Sequence, residues 1–137
     1  CHDVNVEVLE NMPETLMSCE DVDGYDAVVD AIFGFSFKGE PREPFASILK
    51  DIISAQQQQH AQNMIVISVD VPSGWNVNDG DVTGMGFMPD VLISLTAPKL
   101  SSKGFNGRHF VGGRFLPPKL AYKYNIRMPP YPGVSQV

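Results

Sequence analysis

Short apolar runs alternate with polar connections that contain Gly or Pro along this chain of 137 residues. Three of the runs are rich in Val, Ile and Leu and end at a Gly or Pro turn, as is typical of strands buried in a parallel sheet. These runs are 25–34, 64–70 and 90–96. The pattern therefore predicts three buried strands.

One stretch follows helical spacing instead. Apolar side chains recur within residues 45–61 at intervals that place them on one face of a helix. They are Phe45, Ile48, Leu49, Ile52 and Ile53. The helix is expected to run into the glutamine-rich tract 56–60, which is polar enough to lie on an exposed helix end or loop.

Weaker patterns fill the rest of the chain. Residues 4–9 alternate apolar and polar positions like a half-buried strand. Residues 12–24 are predicted to be a connection, and 109–116 a further short strand. A short helix is predicted over 117–125, with Pro near its first turn. The tail 127–137 is expected to be extended.

Strands that are apolar throughout, with a helix between the first two, favour an α/β fold whose mostly parallel sheet is covered on both faces. The length suits a single domain over residues 1–137. In such folds ligands bind beyond the carboxyl ends of the strands. A functional site is therefore expected where the three predicted strands end.

Composition and charge disfavour several classes of function. The net charge of -6 and the pI near 4.8 disfavour nucleic acid and anionic membranes, which both bind positive surfaces. No apolar run is long enough to span a bilayer, and the two cysteines, Cys1 and Cys19, indicate no disulfide framework. The first residues resemble no signal or transit peptide. The chain is thus expected to begin in mid-protein and to belong inside the cell, in cytoplasm or mitochondrion.

The turn after the first strand could hold phosphate. Gly34 and Gly39 permit close backbone approach, and Lys38 between them supplies positive charge. The plainer interpretation is a structural glycine turn, which is common after strands of α/β proteins.

The second turn carries Asp70 and Ser73. Asp70 at a strand end could exchange a proton with a ligand or bind its hydroxyl groups, but it could equally cap the turn that follows. Asp30 and Ser73 could supply oxygen ligands to a hard cation. A Ser-His-Asp triad on Ser73 has weak support, because the histidines are scattered along the chain. They are His2, His60 and His109.

Two further residues near the strand ends have open roles. Lys99 follows the third strand and could face the same crevice, although a lysine is more often a solvated surface charge. Trp75 could stack on a ring but is more often a packing residue.

Four ordered motifs together resemble the NAD(P)H-hydrate epimerases, also called the YjeF N-terminal family. They are VDAIFGFSFKG at 29–39, VDVPSGW at 69–75, LISLTAPK at 92–99, and a tail with GGRFLPP at 112–118 and PPYP at 129–132. The tail is similar to the eukaryotic, stand-alone form of the enzyme. The resemblance covers most of the chain from residue 25 onward.

The resemblance implies a Rossmann-like three-layer α/β/α domain that is incomplete at its N-terminal side. It also implies metabolite repair: interconversion of the R and S forms of hydrated NADH or NADPH (NADHX or NADPHX), so that a partner hydrate dehydratase can restore the cofactor. A homodimer is compatible with this picture.

By motif matching, Asp30 and Ser73 fall at potassium-binding positions of the family, and Asp70 at a substrate-binding acid. A catalytic role for Asp70, orienting or deprotonating the hydrate, is a hypothesis that follows. The substrate-phosphate loop comprises Gly34, Phe35, Ser36, Phe37, Lys38, Gly39 and Glu40. The family's Asn- and Gly-rich turn, of the Gly-Asn-Asn-Gly-Gly-Asp type, is absent from these 137 residues. This chain alone is therefore expected to carry only part of the site.

Two other functions compete with the epimerase. One is a non-catalytic binding or scaffold module, associated with protein or RNA, on the same fold. Asp30, Asp70 and Ser73 match the residue types at the family's site positions, which favours the enzyme. The net negative charge of the chain disfavours RNA binding. The other is a nucleotide-binding hydrolase with Ser73 as nucleophile, which lacks an evident base.

Overall fold

The structure is a computed structural model that describes residues 26–57, 64–113 and 116–127. In these ranges four parallel strands form one sheet, accompanied by two α-helices and one 3-10 helix. The strands are β1 (Ala27–Asp30), β2 (Ile65–Val69), β3 (Val91–Leu95) and β4 (Arg108–Gly112). The helices are α1 (Phe45–Gln57), the 3-10 helix Leu100–Gly104 and α2 (Pro118–Lys123).

The strands lie in the sheet in chain order, β1-β2-β3-β4, and every pair is parallel. Asp30 at the end of β1 is opposite Ser68 in β2, and Val69 at the end of β2 is opposite Ile93 in β3. Because all strands run the same way, their carboxyl ends meet at one edge of the sheet. The register therefore brings the turns after β1, β2 and β3 together.

The predicted parallel α/β class is confirmed, with strands shorter than the apolar runs. The predicted strand 109–116 begins one residue earlier than expected, and the predicted helices begin at Phe45 and Pro118. The 3-10 helix was not predicted, because five residues are too few to show a periodic pattern. The expected elements at 4–9 and 12–24, and the tail from 128, lie outside the described residues.

Helix α1 covers one face of the sheet with its apolar side. Leu49 and Ile52 of the helix pack with Val66 of β2 and with Phe87 from the loop before β3. Leu49, Val66 and Phe87 have no exposed surface, so burying side chains of this size contributes about 1.5–3 kcal/mol each. This core holds β1 and β2 against α1.

The long loop between β2 and β3 is anchored by Trp75. Its ring is buried, and its Nε1–H donates to the carbonyl oxygen of Phe87 at 2.9 Å. The ring of Phe105 meets it edge-on, with centroids 6.5 Å apart. Trp75 is thus a packing residue, as its residue type favoured.

Among the described helices none has the length and apolar character that a bilayer crossing requires.

Candidate active site

Three turns converge at the carboxyl edge of the sheet, as the sequence predicted. The amide of Phe33 donates to Ser73 Oγ at 3.0 Å, which joins the turn after β1 to the turn after β2. The amide of Phe35 donates to Asp70 Oδ2 at 2.9 Å and adds a second link. Lys99, from the turn after β3, forms an ion pair with Asp70. The predicted crevice is therefore a hydrogen-bonded unit.

Asp30 lies at the bottom of this unit, with 1% of its surface exposed. Its Oδ2 accepts hydrogen bonds from Ser68 Oγ at 2.7 Å and from the Ser73 amide at 2.9 Å, and its Oδ1 accepts from Ser73 Oγ at 2.5 Å. These donors are all neutral. A carboxylate buried in this way is costly unless hydrogen bonds and a nearby positive charge compensate it.

Ser73 joins two turns and does not resemble a nucleophile. It is 1% exposed, and its hydroxyl both donates to Asp30 and accepts from the Phe33 amide. His109, the one histidine in the described ranges, lies on β4 and contacts Ser94 Oγ at 2.9 Å. Burial lowers the pKa of His109. No described histidine contacts Ser73, while His2 and His60 lie outside the described residues.

Asp70 points its carboxylate across the sheet edge and does not cap its own turn. The turn over 72–75 is closed by the Trp75 amide, which donates to the Pro72 carbonyl at 3.0 Å, and Asp30 binds the Ser73 amide. Asp70 itself has a φ of 73°, a left-handed conformation that few non-glycine residues adopt. The turn-cap interpretation of Asp70 is therefore wrong, because long-range partners take its oxygens.

Gly34 permits the approach of the first turn to Asp70. A Cβ atom at this position would stand 3.1 Å from Asp70 Oδ2, which is tighter than ordinary van der Waals contact. The next amide, that of Phe35, donates to the same oxygen. Glycine here thus serves a close approach, as the sequence suggested for this loop.

Apart from the half-buried Phe37, the rest of the predicted phosphate loop is open to solvent. The Phe37 amide donates to the Gly34 carbonyl at 3.0 Å, which forms a turn with an exposed Ser36 at its tip. Gly39 has a φ of 88°. The loop borders an open cavity of about 660 Å³. The cavity is lined by Phe33, Phe37, Lys38, Gly39, Glu40, Pro41, Arg42, Glu43 and Phe45.

The sequence leaves the role of one site residue open and misses another. Lys99 could be a crevice residue or a surface charge, and in the structure its side chain is only 17% exposed and paired with Asp70. Ser68, a partner of Asp30, was treated only as part of an apolar strand. The available signal was a polar residue in the middle of a run of Val and Ile, which indicates a buried hydrogen bond.

The site combines a buried carboxylate, a second carboxylate held between an amide and an ammonium group, and a glycine loop with an exposed lysine. Within the described ranges, no three His, Cys, Asp or Glu side chains are grouped to bind a metal ion. The arrangement can transfer a proton at Asp70. The buried oxygen atoms of Asp30 and Ser73 are carboxylate and hydroxyl oxygens, the type that binds hard cations rather than soft transition metals.

Comparison with known proteins gives consistent matches. The NAD(P)H-hydrate epimerase of Phaeosphaeria nodorum is 46% identical over 138 residues, which cover 98% of this chain and 52% of that protein. The chloroplastic pyridoxine/pyridoxamine 5'-phosphate oxidase 1 of Arabidopsis thaliana is 46% identical over 130 residues, covering 93% of this chain and 24% of that protein. The chain thus spans about half or less of the curated relatives that it matches.

A solved structure confirms the Rossmann-like α/β fold. The crystal structure of yeast ynu0 superposes with a TM-score of 0.68 and 41% sequence identity, covering 80% of this chain and 44% of that one. The family described as YjeF-related protein N-terminus matches residues 1–101. Because this match includes the turns after β1, β2 and β3, the chain belongs to the YjeF-related protein N-terminus family.

Proposed function

We propose that this chain forms the C-terminal part of an NAD(P)H-hydrate epimerase domain. Relatives with that name match 82–99% of this chain at 42–50% identity. The observation that carries the proposal is the Asp70 carboxylate, held at the strand ends between the Phe35 amide and Lys99. We also propose that residues outside this chain form the rest of the domain. A partner hydrate dehydratase would use the product.

Asp70 is the proposed proton-transfer group. In the hydrate, the C–O bond at the hydroxyl-bearing ring carbon breaks, and the oxygen keeps both electrons of the bond. The departing hydroxide takes a proton from solvent and becomes water. The ring that remains is a cation. A water then attacks the opposite face of that carbon and gives its extra proton to the Asp70 carboxylate. Asp70 returns this proton to solvent, so the cycle balances and only the configuration of one carbon changes.

Residues 34–40 are the proposed phosphate-binding loop. The glycines at both ends allow the loop backbone to approach an anion, and the exposed Lys38 adds a positive charge beside the 660 Å³ cavity. Through Phe35 the same loop touches Asp70. A dinucleotide bound by its phosphates at this loop would therefore have one end close to the proton-transfer group.

The epimerase function is tested by following both epimers of the hydrate. The full-length protein that carries this sequence is mixed with one purified epimer of NADHX, and the two forms are separated chromatographically over time. Faster conversion to the mixture of both forms than in a protein-free sample is the expected result. Equal rates with and without protein would rule the epimerase out.

Asp30 and Ser73 are the residues proposed to hold a potassium ion. Their oxygen atoms lie together in the protein interior, and in the described part of the chain no cationic side chain contacts the buried Asp30. A monovalent cation would supply the missing positive charge and keep both oxygens in place. The donor set fits such an ion, because it consists of carboxylate and hydroxyl oxygens.

Potassium is therefore expected to stabilise the full-length protein. The melting temperature should be higher in potassium chloride than in choline chloride of equal ionic strength, by about 2–8 °C if binding contributes about 1–2 kcal/mol. Ser73→Ala should remove this difference, whereas Asp79→Asn, on the exposed loop before β3, should keep it. Identical melting in the two salts would show that no potassium ion binds.

A further inference from the structure

Resting on the proposed function, we infer that Lys99 is a positioning residue: its ammonium group fixes the Asp70 carboxylate in the orientation that proton transfer needs. Lys99 lies four residues beyond the end of β3, in the third of the converging turns. The ion pair between Lys99 and Asp70 joins the turn after β3 to the turn after β2. A solvated surface lysine would make no such contact between turns.

The two oxygens of Asp70 are held by different partners. Lys99 Nζ binds Oδ1, and the Phe35 amide donates to Oδ2 at 2.9 Å. With both oxygens bound, the carboxylate cannot rotate about its terminal bond without losing a hydrogen bond. Bonds of this charge-assisted kind are among the stronger ones in proteins. Lys99 and Phe35 therefore define the direction in which Asp70 presents its oxygens.

Lys99 is itself held in place. Its Nζ also donates to the Leu95 carbonyl at 2.9 Å, at the last residue of β3. Thr96, with a φ of 66°, turns the chain immediately after the strand, and its amide donates to the Gly112 carbonyl at 2.8 Å. The ammonium is thus attached to the end of the sheet and is only 17% exposed. A freely solvated lysine would have none of these constraints.

The backbone of Asp70 is held by the same strand that precedes Lys99. A φ of 73° is unfavourable for a residue with a Cβ atom and persists only where the surroundings hold it. The Asp70 amide donates to the Ile93 carbonyl at 2.8 Å, which ties the backbone to β3. Lys99, from the turn after the same strand, then fixes the side chain. β3 and its turn therefore position Asp70 at both its backbone and its carboxylate.

The test replaces Lys99 by Met in the full-length protein, which keeps an unbranched side chain and removes the ammonium. We expect kcat for epimer interconversion to fall about 100-fold, with little change in KM because Lys38 and the loop glycines are unchanged. Lys103→Met is the matched control, since Lys103 is an exposed lysine of the neighbouring 3-10 helix, and it should retain both parameters.

A second measurement reports the contact without using activity. In ¹H–¹⁵N spectra the Phe35 amide resonance should shift in the Lys99→Met variant and not in Lys103→Met, because its acceptor, Asp70, is no longer held. If the Met variant does not give a folded spectrum, the same comparison with Lys103→Met is made for Lys99→Gln. The Gln side chain keeps a donor for the Leu95 carbonyl.

The outcomes separate the two proposals. A wild-type protein that fails to interconvert the epimers contradicts the epimerase function, while a shifted Phe35 amide still supports the positioning role. An active wild-type protein whose Lys99→Met and Lys99→Gln variants keep kcat and the Phe35 resonance overturns the positioning role alone. A fall in kcat together with a similar rise in KM would also contradict it, because that pattern indicates a damaged binding site.

Discussion

Epimerisation by the full-length protein is expected to fall by about 10²–10⁴-fold when Asp70 is replaced by Asn, because Asn cannot accept the proton from the returning water. The measurement is the rate of interconversion starting from one epimer of the hydrate. The fold should survive, since Asn is nearly the same size as Asp and is tolerated in the left-handed conformation found at this position. A circular dichroism spectrum and melting curve check this expectation.

Asp79→Asn is the control for this change. Asp79 is an exposed acid in the loop between β2 and β3 and makes no contact with Asp70, so its substitution removes the same charge from the protein without touching the site. Its rate should equal that of the wild type. If Asp70→Asn also keeps the wild-type rate, Asp70 has no part in the chemistry.

Asp30→Ala is expected to lower the free energy of unfolding by about 3–5 kcal/mol. The substitution leaves the Ser73 amide and the hydroxyls of Ser68 and Ser73 buried without their acceptor. It also removes the side chain to which Ser73 is bound, and Ser73 in turn accepts from the Phe33 amide. Urea denaturation of the full-length protein, followed by fluorescence, gives the free energy of unfolding.

The matched variant for this comparison is Asp79→Ala, which truncates an exposed aspartate and should change the free energy of unfolding by less than about 0.5 kcal/mol. Asp30→Asn should lie between the two, because it keeps the shape of the side chain but turns one acceptor into a donor. A loss for Asp30→Ala no larger than that for Asp79→Ala would mean that the hydrogen bonds of Asp30 do not stabilise the fold.

The positions of the strand ends could be predicted because the information is local. A run such as 64–70, apolar on both faces and closed by Pro72, indicates a buried parallel strand without reference to the rest of the chain. Once the strands are parallel, the meeting of their carboxyl ends follows from topology alone. That rule, together with the family motifs, singles out Asp30, Asp70 and Ser73 as candidates for the site.

The partners of these residues could not be predicted in the same way. Ser68 binds Asp30 because the register of β1 and β2 places the two opposite each other, and register depends on packing across the sheet. Lys99 reaches Asp70 from the turn that begins at the left-handed Thr96, and a β-branched residue such as Thr seldom adopts that conformation. The sequence also left open whether Asp70 caps its own turn, and the structure excludes that alternative because residues from distant segments bind its carboxylate oxygens.

The hydrogen bonds of the site connect residues that are far apart along the chain, with separations of 35 for Phe35 and Asp70, 40 for Phe33 and Ser73, and 43 for Asp30 and Ser73. Each can form only after the segment between its ends, including α1, has closed into a loop, and the entropy of that closure must be overcome first. No short peptide from either turn can therefore preserve the geometry around Asp70. The crevice therefore depends on the pairing of β1 with β2 and on the packing of α1 against them.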